Sequence, residues 1–255
     1  MGPRLGQNFL SDPNLLDAIV RDAEIGPGEV VLEVGVGEGV LTERLADAAP
    51  HVHAIEIDRR LEPGLASLVD RPNVRLHWGD ALGLDLTALD PAPTAMVANL
   101  PYSVATPVIL RTIEELPSLG SWTVMVQREI ADRLRAASGS RTYGSPSALV
   151  QLACEVRLLR TVDPAVFRPR PRVESAILAL RRTGPGADAA TRELVRAAFA
   201  HRRKSLARSL EHVQPGSLTA TREALEELGL APDARAEALA PEDFAALSAK
   251  LRSSD

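Results

Sequence analysis

The 255-residue chain has a single cysteine, Cys154, so no disulfide framework can hold it together. Cys154 lies in the apolar-rich run 148–156 and is read as a buried core thiol rather than a nucleophile. No segment approaches about 18 unbroken apolar residues, the length a membrane span requires. Residues 1–12 lack an apolar run with a cleavage-like site after it, so a cytoplasmic protein is expected rather than a secreted one. The five histidines, at 51, 53, 77, 201 and 212, show none of the Cys/His spacings of a zinc site, and no metal is expected. His51-x-His53 matches one face of a strand instead. Positive charge is also scarce overall, and a net charge of −5 argues mildly against a nucleic-acid partner.

The distribution of charge points the other way. Residues 168–208 contain eleven Lys/Arg against three acids, a local excess of +8 that leaves −13 for the remainder. Such asymmetry suggests a basic contact surface attached to an acidic catalytic body, with Arg168, Arg170, Arg172, Arg202, Arg203 and Lys204 as the candidate RNA contacts. A merely solvated charged face is the alternative.

Apolar spacing divides the chain into alternating elements. Ser11-Asp12-Pro13 supplies a cap and a first-turn proline for a helix carrying Leu15, Leu16, Ile19 and Val20. Residues 30–34 form a β-branched strand that Gly35 breaks, and a helical pattern resumes at Leu41. Strands at 51–57, 73–78, 95–98 and 122–126 alternate with helices at 59–68 and 104–116, the signature of a parallel, doubly wound sheet. A helix at 147–154 and strands at 156–162 and 173–180 follow. Thr183-Gly184-Pro185-Gly186 is a linker by composition, and beyond it only helical patches occur. The expected division is a catalytic domain over residues 1–182 and a small all-helical domain over 183–255.

Three carboxylates and one corner motif carry the chemistry. Glycines 35, 37 and 39, in Glu33-Val34-Gly35-Val36-Gly37-Glu38-Gly39, permit a tight strand-to-helix turn that a ligand can approach, with backbone amides available to it. The spacing is not that of the dinucleotide fingerprint, because Val40 occupies the third glycine's place. Glu56 ends the next strand, where a carboxylate can accept from ribose hydroxyls. Asp80 follows the third strand and can accept from an adenine amine. Asn99-Leu100-Pro101-Tyr102 closes the fourth strand. The exocyclic amine of adenine is a poor nucleophile because its lone pair is delocalised into the ring, and it needs acceptors that favour a pyramidal nitrogen. The Asn99 side-chain oxygen and a carbonyl fixed before Pro101 can supply them, while Tyr102 offers a flat face to an extruded base.

These motifs, together with Gly6-Gln7-Asn8-Phe9-Leu10, Gln127-x-Glu129, Phe167-x-Pro169-x-Pro171-x-Val173-x-Ser175 and Arg202-Arg203-Lys204-Ser205-Leu206, resemble those of the KsgA-type ribosomal RNA adenine dimethyltransferases. The resemblance runs from about Gly6 to the last helices. It implies an α/β fold, a Rossmann-like sheet of seven strands that binds S-adenosylmethionine (SAM), with a helical C-terminal domain. It implies transfer of two methyl groups to each of two adjacent adenines near the 3′ end of 16S rRNA in the small ribosomal subunit. Residue by residue, it makes Asn8, Leu10, Gly35, Gly37, Glu56, Asp80, Ala81 and Asn99 the SAM site. It makes Asn99, Leu100 and Tyr102 the floor of the adenine pocket, with Phe167 closing the opposite face of the base, in an enzyme expected to be a monomer.

Some positions depart from the family pattern. Val36 stands where proline is common, Ser103-Val104-Ala105 replaces a more typical Asn-Ile-Ser, and Tyr143-Gly144-Ser145-Pro146-Ser147 lacks the usual basic residue before its last serine. Two other functions stay in view. An Erm-type methyltransferase acting on large-subunit 23S rRNA and conferring antibiotic resistance would share the SAM site and a similar Asn-x-Pro-Tyr; the 202–210 run and the tail from Leu218 favour the KsgA type. A non-catalytic RNA-binding relative would bind SAM without transferring methyl groups. A nicotinamide-dependent dehydrogenase is disfavoured by the glycine spacing and would leave residues 99–102 without a role.

Overall fold

Val30 and Val31 begin a run of β-branched and aliphatic residues with no polar alternation, which is the pattern of a strand covered on both faces. In the computed structural model, which describes residues 9–253, that run is a fully buried central strand. In chain order the strands are β1 (Phe9–Leu10), β2 (Val30–Val34), β3 (His51–Glu56), β4 (Val74–Trp78), β5 (Ala95–Asn99), β6 (Ser121–Gln127), β7 (Cys154–Val162), β8 (Phe167–Arg168) and β9 (Ser175–Arg182). Seven of them form one sheet in the order β4-β3-β2-β5-β6-β9-β7, while β1 and β8 form a separate antiparallel pair. The helices are α1 (Pro13–Asp22), α2 (Val40–Ala48), α3 (Ala66–Val69), α4 (Ala105–Glu115), α5 (Arg128–Leu134), α6 (Ser145–Gln151), α7 (Ala189–Ala200), α8 (Leu206–Val213), α9 (Leu218–Glu227) and α10 (Pro241–Arg252).

The run from β4 to β6 is parallel, as the alternation of strands and helices predicts, but β9 pairs antiparallel with β6. Successive strands step outward from β2 to β3 and β4, and the chain then returns to β5 on the other side of β2. That reversal opens a crevice beyond the carboxyl ends of β2 and β5, where open α/β sheets bind ligands. Helix α1 begins as its sequence dictates, with Asp12 accepting the Leu15 amide at 3.1 Å ahead of Pro13. The segment expected as a helix over 59–68 is a 3-10 helix over Arg59–Leu65 followed by the short α3, because Pro63 inside it removes an amide donor and Gly64 follows.

The chain separates into two compact units, residues 1–131 with 155–182, and residues 132–154 with 183–255. The second unit starts again at Thr183, where the linker composition places a boundary, and it also takes in residues 132–154, which the sequence groups with the sheet. In the sheet unit, Leu16, Ile19, Val31, Leu41, Leu45, Val97 and Ile177 belong to one buried cluster. In the helical unit the half-buried Phe199 ring meets two fully buried rings, Tyr143 at 5.9 Å and Phe244 at 5.7 Å. Ser147, fully buried, donates to the Arg133 carbonyl and accepts the Gly144 amide, so the last serine of that divergent loop caps α6. Cys154 is buried. No helix among the described residues is long and apolar enough to cross a membrane, and no described cluster of His, Cys, Asp or Glu is arranged to hold a metal ion.

Candidate active site

One cavity lies at the carboxyl ends of β2 to β5, and the separate sequence motifs meet there. Leu10, Glu33, Gly35, Gly37, Glu56, Asp80, Ala81, Asn99, Leu100 and Tyr102 all line it. Asn8 lies outside the described residues. Phe167 is buried and does not line the cavity, whereas Leu10, its register partner across the β1–β8 pair, does. Two-residue strands carry no periodic signal, so neither this pairing nor the burial of Phe167 is legible beforehand.

The three glycines of the turn provide space. Gly35 and Gly37 have φ of +85° and +58°, in the region where side chains are strained. A Cβ on Gly35 would sit 3.1 Å from the Pro101 ring, and one on Gly37 would sit 3.2 Å from the Phe9 ring. The first glycine therefore lets the Asn99–Tyr102 corner approach, and the second admits the arm before α1. The three glycine amides are already used: Gly35 donates to the Ile55 carbonyl, Gly37 to Glu56 Oε2 at 2.9 Å, and Gly39 to the Val36 carbonyl. The amides at the start of α2, from Val40 to Thr42, donate to no described backbone carbonyl outside the helix. Val36, in the place of a proline, is buried with Ala54, Leu65 and Leu68, which anchor the turn by packing.

Glu56 is buried and accepts twice from the backbone, from Gly37 and, through Oε1, from Asp58 at 2.8 Å. A carboxylate has about four lone-pair sites, so both oxygens retain acceptor capacity toward the cavity. Asp80 is exposed and accepts the Leu82 amide at 2.9 Å; its loop is braced by Arg111, which donates to the carbonyls of Ala81 and Leu84. Asn99 ends β5 half-buried, and its side-chain amide makes no hydrogen bond with another described residue. The Leu100 amide is tied to the Met125 carbonyl at 3.0 Å, which fixes the corner at the end of the sheet. The Tyr102 hydroxyl lies 2.6 Å from the Ser175 hydroxyl, a partner 73 residues away that holds the ring edge. Ser175 was visible only as the last residue of a proline-rich motif, with no signal of its contact.

The charge in the cavity has one sign. Glu33, Glu38, Glu56 and Asp80 line it, and no Lys, Arg or His does among the described residues. Such a lining attracts a cation and repels a pyrophosphate.

The basic run divides between the two units. In the sheet unit Arg168 and Arg172 are exposed, Arg170 faces Asp163 at 3.7 Å, and Arg182 is structural, donating to the carbonyls of Ile113, Leu116 and Leu119 and lying over Trp122. In the helical unit Arg202 turns inward, donating to the carbonyls of Arg141 and Tyr143 at 3.1 and 3.2 Å. Arg203 and Lys204 instead join Arg208, Arg222 and Arg235 around a second cavity. None of these five forms an ion pair with a described residue. Arg222 and Arg235 lie beyond the run that the sequence marks, and only the fold brings them to it.

Comparison with known proteins places these features in context. Residues 2–252 match the family described as ribosomal RNA adenine dimethylase. The chain is 47% identical over 252 residues to the ribosomal RNA small subunit methyltransferase A of Rubrobacter xylanophilus, covering 97% of this chain and 94% of that one. It is 45% identical to the protein of the same name from Thermobifida fusca, covering 96% and 88%. Among solved structures it superposes on a dimethyladenosine transferase from Plasmodium falciparum with a TM-score of 0.80 at 27% identity, over 94% of this chain and 95% of that one. The 23S rRNA methyltransferase ErmE aligns with a TM-score of 0.69 at 29% identity, over 96% and 100%.

Proposed function

The chain belongs to the ribosomal RNA adenine dimethylase family, and on that premise we propose that it methylates the exocyclic N6 amines of two adjacent adenines near the 3′ end of 16S rRNA, using SAM, during small-subunit assembly. The observation that carries the reading is the convergence of Glu56, Asp80 and the Asn99–Tyr102 corner on one cavity lined by acids and by no cation. The residues fit SAM: its net positive charge suits a lining of acids with no described cation. When bound, SAM supplies a methyl group made electrophilic by its sulfonium.

The chain's own groups do the rest. Glu56 accepts from the ribose hydroxyls with the lone pairs its backbone bonds leave over, and Asp80 accepts from the cofactor's adenine amine. Leu10, Gly35, Gly37 and Ala81 form the walls, and Asn8 belongs to the same set. Asn99 offers an uncommitted acceptor to the target amine and favours its pyramidal form, while Leu100 and Tyr102 support the extruded base, Tyr102 held at its edge by Ser175. Phe167, paired in register with the cavity-lining Leu10, closes the opposite face of the base.

The RNA backbone is met by Arg203 and Lys204 with Arg208, Arg222 and Arg235, whose unpaired charges suit phosphates, and by Arg168, Arg170 and Arg172. Arg202 supports the loop at 141–143 instead. We place the enzyme in the cytoplasm as a monomer. The small-subunit relatives, up to 47% identical, favour this target over the large-subunit target named for ErmE. Incubation with methyl-labelled SAM and purified ribosomal subunits tests the choice: label is expected in the small subunit, and label confined to the large one would reverse it.

A further inference from the structure

Glu33 ends with its carboxyl group in the wall of the cavity although the residue is only 1% exposed. Oε2 accepts the Thr42 hydroxyl of α2 at 2.6 Å, whereas no described residue donates to Oε1. The charged group that acts on this carboxyl is another acid, Glu56 from β3, and the other ionisable residues lining the cavity, Glu38 in the turn and Asp80 after β4, are acids too. A buried carboxylate with one neutral donor and carboxylate neighbours has little to offset its lost hydration. Burial, helped by the charge of Glu56 and only partly opposed by Thr42, pushes the Glu33 carboxyl up to about 8.

We propose that Glu33 carries a proton before the cofactor binds and releases it to solvent when the cation of SAM enters the cavity, so that cofactor binding and ionisation of Glu33 are coupled. This rests on the SAM reading above. The Glu33 O–H bond breaks, its electron pair stays on the carboxylate, and the proton passes to the buffer; no electron is exchanged. SAM carries a sulfonium and an ammonium against one carboxylate, and in a water-poor cavity this net positive charge favours the anionic form of its neighbour. Glu33 thus acts as a positioning residue whose charge appears only when there is a cation to meet it. Before that, the neutral acid spares the chain a second buried anion beside Glu56.

Calorimetry of SAM binding in two buffers of equal pH and different ionisation enthalpy counts the protons directly. At pH 7 a carboxyl with a pKa of about 8 is about nine-tenths protonated, so release approaching one proton per SAM is expected. Affinity should rise by up to tenfold per pH unit between about pH 5.5 and 6.8, below the range where the ammonium of SAM itself titrates. Glu33→Gln should bind with no proton release and a flat pH profile. Thr42→Val keeps the carboxyl but removes the donor that favours its ionised form, and should move the affinity profile to higher pH. SAM binding without proton release, equal release in Glu33→Gln, or a Thr42→Val profile that coincides with the wild type would overturn the coupling while leaving the SAM reading intact. Absence of SAM binding in the wild type would overturn both.

Discussion

Asn99 brings to the cavity an amide that no described residue has claimed, and this makes it the residue whose loss should be felt in the chemistry. Its contact with the target amine strengthens as the nitrogen becomes pyramidal, and only such differential binding accelerates a reaction. Asn99→Ala is therefore expected to lower single-turnover methylation by about 10²–10³, by analogy with the deletion of a single oxyanion-hole donor, while RNA affinity changes little. A near-normal chemical step would remove Asn99 from that role. Tyr102→Ala should do the reverse, weakening capture of the base by roughly 1–3 kcal/mol through lost stacking. Glu56 has two duties, ligand acceptor and staple for the Gly37 and Asp58 amides. Glu56→Gln, which keeps one acceptor oxygen, should weaken SAM binding by roughly 1.5–3 kcal/mol with the fold retained, and an unchanged calorimetric affinity would contradict the assignment. At this scale the sequence discloses residue types but not their state. The proton on Glu33 depends on burial, and the Tyr102–Ser175 contact joins positions 73 residues apart.

Among the elements, the β2 turn was the most legible, because three glycines at alternate positions after a β-branched run admit few other conformations. What the spacing concealed was the destination of the amides, since Glu56 reaches across from β3 to take the Gly37 donor. The β1–β8 pair was hidden for the opposite reason: two residues on each side form no pattern, so neither the pairing nor the burial of Phe167 is legible in the sequence. Strand β3 makes a further point. His53 donates through Nε2 to the Pro91 carbonyl at 2.8 Å, and its Nδ1 lies 3.0 Å from His77 Nε2, a contact that the neutral ring makes by accepting. Burial, aided by His51, His77 and Arg75 and opposed by the Pro91 carbonyl, lowers His53 to about 4. A base with a depressed folded pKa contributes stability that is present above its unfolded value near 6.5 and is lost as the pH falls toward 4. Urea unfolding between pH 7.5 and 4.5 should show this decline, and His53→Gln should flatten it; an equal decline in the variant would place the acid sensitivity elsewhere.

Over the whole molecule, a net charge of −5 conceals an acidic cavity in one unit and, in the other, a cavity lined by five cations and one acid, Asp233, where no cation forms an ion pair with a described residue. The sum could not reveal this, and the linear run of basic residues did so only in part, since Arg182 and Arg202 are committed to carbonyls while Arg222 and Arg235 come from distant sequence. Changing Arg203, Lys204 and Arg208 together to alanine should leave SAM binding unaltered and reduce the salt dependence of RNA binding by roughly 0.9 in slope per lost duplex phosphate contact. An unchanged slope would make these residues a solvated face. The central claim, that this cavity methylates adenine N6 in the small subunit, is tested most directly by mass-spectrometric mapping of methylated nucleosides after unmethylated small subunits react with the protein and SAM. The account predicts N6-methylated adenines at two adjacent positions near the 3′ end of 16S rRNA; methylation at another atom, or on 23S rRNA alone, would contradict it.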